Sequence, residues 1–162
     1  MTEFDTGEDT LFVPMLGRIY ASENFPGILD DRKALELRDR LPGDIRGRDT
    51  QTQYTFLASA VRSANVDRAV GDFVSRYPDG VIVEFGCGLE TAYHRNANGH
   101  TWYELDLPEV IDYRREMLGE SEDDICIPGD AFACGWLDRV RSEHPGAPIL
   151  VISSGVFYYF TL

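Results

Sequence analysis

Pro78-Asp79-Gly80-Val81-Ile82-Val83-Glu84-Phe85-Gly86-Cys87-Gly88-Leu89-Glu90 is the stretch from which the fold is read. A Pro-Asp-Gly turn precedes a short β-branched run and glycines follow it, so Val81 to Phe85 reads as a buried strand. The glycines stand where that strand turns toward a helix. A residue without a Cβ lets the backbone turn tightly there and lets a ligand approach closely. Eighteen residues beyond Gly88, Asp106 stands at the end of the next candidate strand, Thr101 to Leu105. A carboxylate at that point accepts both hydroxyl hydrogens of a ribose. Taken alone, the glycine pair is equally well a tight turn of no chemical consequence. Strand, glycines and acid together favour a ligand that contains a nucleoside.

Outward from this stretch, helical and strand-like segments alternate. Pro108 to Leu118 reads as a helix with proline in its first turn and Gly119 at its end. Ile125 to Ile127 is a third candidate strand, a short helix surrounds Trp136, Leu137 and Val140, and Pro148 to Ser153 is the most strand-like segment of the chain. Upstream, Asp30 or Asp31 caps a helix that runs to about Arg40 and stops at Pro42-Gly43. Residues 52–77 carry helical periodicity, as one long helix or two abutting ones, and the residues before 30 read as an irregular start. Strands alternating with helices predict an α/β fold with a parallel, Rossmann-like sheet. Residues 1–80 form a helical lead-in on this reading and residues 81–162 the cofactor-binding half, within one structural domain.

Composition narrows the partners. With 15 basic residues against 28 acidic, a net charge of −13 repels phosphate backbones and anionic lipid surfaces, so neither nucleic acid nor a membrane is expected. No run of apolar residues is long enough for a spanning helix. Cys87, Cys126 and Cys134 form no CxxC pair, the three histidines are scattered, and no metal site is expected. A reducing cytoplasm suits such cysteines. The identity of the nucleoside ligand turns on the third glycine of a dinucleotide fingerprint, because Thr91 occupies that position. A diphosphate also matches so acidic a chain poorly. S-adenosylmethionine carries a sulfonium and an ammonium against one carboxylate and matches it better, leaving a nicotinamide-dependent oxidoreductase as the rival.

The run Val83-Glu84-Phe85-Gly86-Cys87-Gly88-Leu89-Glu90-Thr91, followed by Trp102-Tyr103-Glu104-Leu105-Asp106-Leu107-Pro108-Glu109-Val110-Ile111, resembles the leucine carboxyl methyltransferase family. Within it, the polyketide, tetracenomycin-type O-methyltransferase branch is the most similar. Further matching segments are Thr10 to Leu16 with Arg18, Asp31 to Leu37, Arg62 to Asp67, Gly129-Asp130 with Trp136, and Ser153 to Phe160. The resemblance implies the Rossmann-like class I S-adenosylmethionine-dependent methyltransferase fold. It implies that Arg62 grips the cofactor's carboxylate, that Gly86, Cys87 and Gly88 lie against its methionine part, that Asp106 with Leu107 holds the ribose, and that Asp130 with Ala131 borders the adenine. Tyr159 matches a family tyrosine on the substrate side. Each has a plainer reading: Arg62 as an exposed helix charge, Asp130 as a turn aspartate, Tyr159 as a core aromatic.

Two departures from the family pattern stand out. Ser154 replaces a glutamate that the family places before the glycine at the end of the fourth strand, which removes an acidic contact. Family members also continue through a fifth strand and an antiparallel pair, so the chain reads as truncated after the fourth strand; if 162 residues are all there is, the fourth strand exposes an apolar edge, which predicts a homo-oligomer or strand exchange. The expected activity is O-methylation of a carboxylate or hydroxyl of a small, polyketide-like acceptor. The alternative is a methyltransferase-like fragment that binds cofactor or oligomerises without doing chemistry. His94 and His100 are the nearby bases, and both read as surface residues of an Asn- and Gly-rich loop.

Overall fold

The computed structural model describes residues 9–42, 53–96 and 99–156. Helices α1 (Asp9–Asn24), α2 (Arg32–Leu37, continued by a 3-10 turn Arg38–Arg40) and α3 (Gln53–Arg76) come first. They are followed by β1 (Val81–Phe85), α4 (Ala92–Arg95), β2 (Trp102–Asp106), α5 (Pro108–Leu118), β3 (Asp124–Pro128), α6 (Gly135–Glu143) and β4 (Ile149–Ser153). By its internal contacts the chain divides into two units, Met1–Arg68 with Leu89–Arg95, and Ala69–Gly88 with Asn96–Leu162.

The second unit holds the sheet. Its strands run parallel in the order β3-β2-β1-β4, as the alternation of strands and helices predicts. Register brings the carboxyl ends together: Phe85 lies opposite Leu105 on one side and Ser153 on the other, and Asp106 lies opposite Pro128. The chain steps outward from β1 to β2 to β3 and then returns to the far side of β1. The order therefore reverses between β1 and β4, and the crevice outside the carboxyl ends at such a reversal is where open α/β sheets bind ligands. The pleat sends Val81 and Val83 to one face, where they pack with Tyr103, Leu105, Ile127 and Val140 of α6. Residues of the alternate parity, Glu84, Glu104 and Asp124, are buried as well. The helix α5 buries Ile111, Arg114 and Met117, a stripe of period three in which an arginine occupies an apolar position. Strands β1 and β2 are buried up to their last residue, whereas β4 at the edge leaves Val151 47% exposed.

The first unit is helical, with Ala21, Leu29 and Ala60 packed together and Ala64 against them. A Cβ on Gly17 would come within 2.9 Å of Ser59 Cβ and 3.0 Å of the Phe56 carbonyl, so α1 and α3 approach closely only because that side chain is missing. The start of the chain corrects the sequence reading, which left it irregular: Asp9–Asn24 is a helix with Pro14 inside it. Phe12, Met15, Arg18, Ile19 and Ser22 are buried at helical spacing. Two weak helix formers, Pro14 and Gly17, and two polar residues on the buried stripe, Arg18 and Ser22, hide this pattern, and tertiary packing overrides the local propensity. The ambiguity at α2 resolves to Asp31, whose Oδ1 accepts from the Ala34 N–H at 2.9 Å. Residues 53–76 are one continuous helix.

Candidate functional site

The loop after β1 is shaped by two glycines in the left-handed region, Gly86 at φ +58° and Gly88 at φ +47°. The Gly86 N–H donates to the Leu105 carbonyl at 2.8 Å, extending the ladder with β2 by one residue. A Cβ on Gly86 would lie 1.9 Å from Cγ2 of Val156, so the segment leaving β4 closes against this glycine. Gly88 points its N–H at Asp106, whose Oδ2 accepts it at 2.8 Å, while Oδ1 accepts from the Leu107 N–H, also at 2.8 Å. The glycine loop and the acid eighteen residues later thus meet directly. Asp106 is half-buried, and burial raises its pKa against the two backbone hydrogen bonds and the Arg114 charge, which lower it. Each carboxylate oxygen keeps a lone pair beyond those bonds.

On the next strand, the Gly129 N–H donates to the Asp106 carbonyl at 2.9 Å. Asp130 follows, exposed, its Oδ1 accepting from the Phe132 N–H at 2.8 Å in a tight turn. The Ala131 carbonyl accepts from Trp136 Nε1 at 3.0 Å, and the Trp136 ring stands edge-on to Phe85 at 4.8 Å between centroids. Leu107, next to Asp106, and Phe132, two residues beyond Asp130, are 50% and 59% exposed. At the end of β4, the hydroxyls of Ser153 and Ser154 are buried and have no hydrogen-bond partner among the described residues. Gly86, Cys87, Gly88, Asp106, Leu107, Asp130 and Ala131 therefore belong to one carboxyl edge. Arg62 belongs to the first unit, half-buried on α3, with its Nε buried and lacking a hydrogen-bond partner among the described residues. Tyr159 lies outside the described residues.

Charged residues that sequence reasoning passed over support the loop from beneath. Arg114, fully buried, forms an ion pair with Glu104 at 2.9 Å and donates through Nη1 to the Gly88 carbonyl at 3.1 Å. Glu104 lies in register with Glu84, so two buried glutamates stand side by side on neighbouring strands, and with Asp124 they hold the Arg114 guanidinium firmly charged. Cys87 is fully buried against Ile111 and Cys126, and burial pushes its thiol pKa well up, which keeps it protonated and unreactive. The available signal was a glutamate inside each of two apolar strands, since such a charge needs a buried cation.

The first unit holds a second set of buried charges. Arg18, 1% exposed, donates to Asp31 Oδ2 at 3.1 Å, to Glu90 Oε2 at 2.9 Å and to the Leu89 carbonyl at 2.7 Å. Arg95 donates to Asp31 at 2.8 Å, to Glu90 Oε1 at 2.9 Å and, in a two-pronged pair, to Asp67 at 2.8 and 3.0 Å. Glu90 accepts in addition from the Thr91 N–H at 3.0 Å and the Ser63 hydroxyl at 3.3 Å. Although burial alone would raise it, the two arginines pull the Glu90 pKa down to about 2.

A parallel sheet whose order reverses beside a glycine loop, with an acid on the next strand bonded to that loop, is the arrangement with which open α/β proteins bind nucleotides and nucleosides. The leucine carboxyl methyltransferase family model matches residues 13–161, and this chain belongs to that family of S-adenosylmethionine-dependent methyltransferases. The tetracenomycin polyketide synthesis O-methyltransferase TcmP of Streptomyces glaucescens is 27% identical to it over 153 residues, 93% of this chain and 55% of that protein. The chain thus spans about half the length of this curated relative. None of the helices among the described residues is long and apolar enough to cross a membrane.

Proposed function

We propose that this chain carries the cofactor-binding half of an S-adenosylmethionine-dependent O-methyltransferase acting on a carboxylate or hydroxyl of a small, polyketide-like molecule. The observation that carries the reading is the hydrogen bond from the Gly88 N–H to Asp106 Oδ2 beside the point where the strand order reverses. The remaining lone pairs of Asp106 suit the two ribose hydroxyls, and the exposed Leu107 and Phe132 suit the faces of an adenine bordered by Asp130 and Ala131. Arg62, with a buried donor still to satisfy, suits the carboxylate of the methionine arm, and the buried hydroxyls of Ser153 and Ser154 suit its polar groups.

When bound, S-adenosylmethionine supplies a methyl group on a sulfonium, a leaving group already activated. What remains to the protein is alignment and the exclusion of water. Asp106 orients the ribose, and the loop of Gly86 to Gly88 lets the backbone approach the cofactor closely. A carboxylate acceptor, with a pKa of about 4, is already ionised at neutral pH and needs no base, whereas a phenol at about 10 does. Thr91 supports this cofactor over a dinucleotide, because its buried side chain donates to Asp31 at 2.5 Å where the fingerprint has glycine, and the helix behind it is only four residues long. Three free thiols, one of them exposed, support a reducing cytoplasm.

Isothermal titration with S-adenosylmethionine tests the reading. Binding is expected, and Arg62→Ala weakens it by about 1.5–3 kcal/mol through loss of a charged hydrogen bond. Unchanged affinity in Arg62→Ala removes that residue from the site. Thermal stabilisation by a nicotinamide dinucleotide alone overturns the cofactor assignment, and cofactor binding without methyl transfer to any phenol or carboxylate tried favours the non-catalytic module.

A further inference from the structure

The glycine loop leaves the sheet at Gly88, and the residues that follow it are anchored elsewhere. The Leu89 carbonyl and the Glu90 carboxylate are both held by Arg18 of α1, and Glu90 is held again by Arg95 and by its own neighbour's N–H. From α3, the hydroxyl of Ser63, the residue next to Arg62, donates to this carboxylate at 3.3 Å. Glu90 is therefore a hub with four donors from three different places in the chain, two residues after one proposed cofactor contact and bonded to the neighbour of another. Its side chain is 11% exposed, so water offers little substitute for these partners. An apolar or merely polar residue would satisfy the packing here. What a carboxylate adds is the ability to draw two guanidinium groups and a hydroxyl to one point with fixed directions.

We infer that Glu90 is a positioning residue for the cofactor: by tying the turn of α3 that carries Arg62, through Ser63, to the buried Arg18 and Arg95, it sets where the Arg62 guanidinium presents itself. This rests on the cofactor assignment proposed above. It separates from ordinary structural support, because a positioning role affects chiefly those ligands that own the group Arg62 takes.

The test compares Glu90→Gln, which keeps the volume and removes the charge, with the wild-type chain against two nucleosides. S-adenosylhomocysteine has the amino acid arm, and 5′-methylthioadenosine lacks its carboxylate. The expected result is about a tenfold loss of affinity for the first and less than about a threefold loss for the second. Combined with Arg62→Ala, the losses for S-adenosylhomocysteine should fall well short of multiplying. Hydrogen–deuterium exchange in the ligand-free protein should quicken together in segments 89–91 and 61–63. Equal losses for both nucleosides, full multiplication in the double variant, or quickened exchange in one segment alone overturns the inference. Should Glu90→Gln fail to fold, Ser63→Ala removes one spoke of the hub and is judged by the same ratio at about threefold. If the wild-type chain binds neither nucleoside, the cofactor assignment falls, and the exchange measurement still decides whether Glu90 couples the two segments.

Discussion

Gly88 and Leu89 are consecutive residues, and the carbonyl of each accepts from a buried arginine, yet the two arginines live in opposite electrostatic settings. Arg114, behind Gly88, is one cation among Glu104, Glu84 and Asp124 on strand residues of the sheet. Arg18, behind Leu89, works beside Arg95, and the two share Asp31 and Glu90 through directed hydrogen bonds. Burial is nearly complete in both places, but the acids respond in opposite directions. Asp124 has its pKa raised by burial despite Arg114, while Glu90 is driven down to about 2. The difference shows that the number and direction of donors on a carboxylate, rather than its depth, decide which way its pKa moves.

The largest expected effect tests the Arg114 side. Arg114→Met leaves the buried Glu104 without its ion-pair partner and should cost about 3–5 kcal/mol in urea unfolding. The double change Arg114→Met with Glu104→Met should recover most of it, and a double variant as unstable as the single one would contradict the account.

The Arg18 side is probed by acid. Glu90 has a lowered pKa in the folded state, so the stability it contributes is present above its ordinary value of 4.5 and is lost as pH falls from there toward about 2. That loss is on the order of 3 kcal/mol. Glu90→Gln should flatten the pH dependence in this window. Asp106 and Asp124 carry raised values and have the opposite sign, so changing either to asparagine should leave the acid-side loss in place or steepen it.

Between the two arginines lies the loop itself. Gly86→Ala forces a side chain onto a positive φ and into Val156, and should lower stability by about 2–3 kcal/mol in urea unfolding. The smallest effect belongs to the solvent-facing pair of Arg32 and Asp30, 3.3 Å apart with Arg32 86% exposed. Arg32→Ala should shift stability by less than about 0.5 kcal/mol, and a larger change would mean that exposed pairs here behave like the buried ones.

Much of this molecule was legible beforehand. The turn, the β-branched run and the glycines located β1 and its loop, and the next strand was read to end at Asp106; that Asp106 bonds the Gly88 N–H came from the structure. Helix α1 was not legible, because Pro14, Gly17 and Arg18 each argue locally against a buried helix. The same obstacle hid Arg114: on both α1 and α5 an arginine takes a position that periodicity reserves for an apolar residue. A pattern of hydrophobic spacing reads such a residue as solvent-facing, since the cost of burying a charge is visible in one segment and its compensation lies in another.

The sequence by itself determined the four strands, the helices at Asp31, at residues 53–76, at Pro108 and around Trp136, the parallel sheet and the loop at Gly86 to Gly88, because those follow from short-range periodicity, turn chemistry and the freedom of glycine. Only the tertiary structure decided which charges are buried together. Glu104 on β2 finds Arg114 on α5, and Glu90 finds Arg18 of α1 seventy-two residues away, so a carboxylate's ionisation depends on donors that other elements supply.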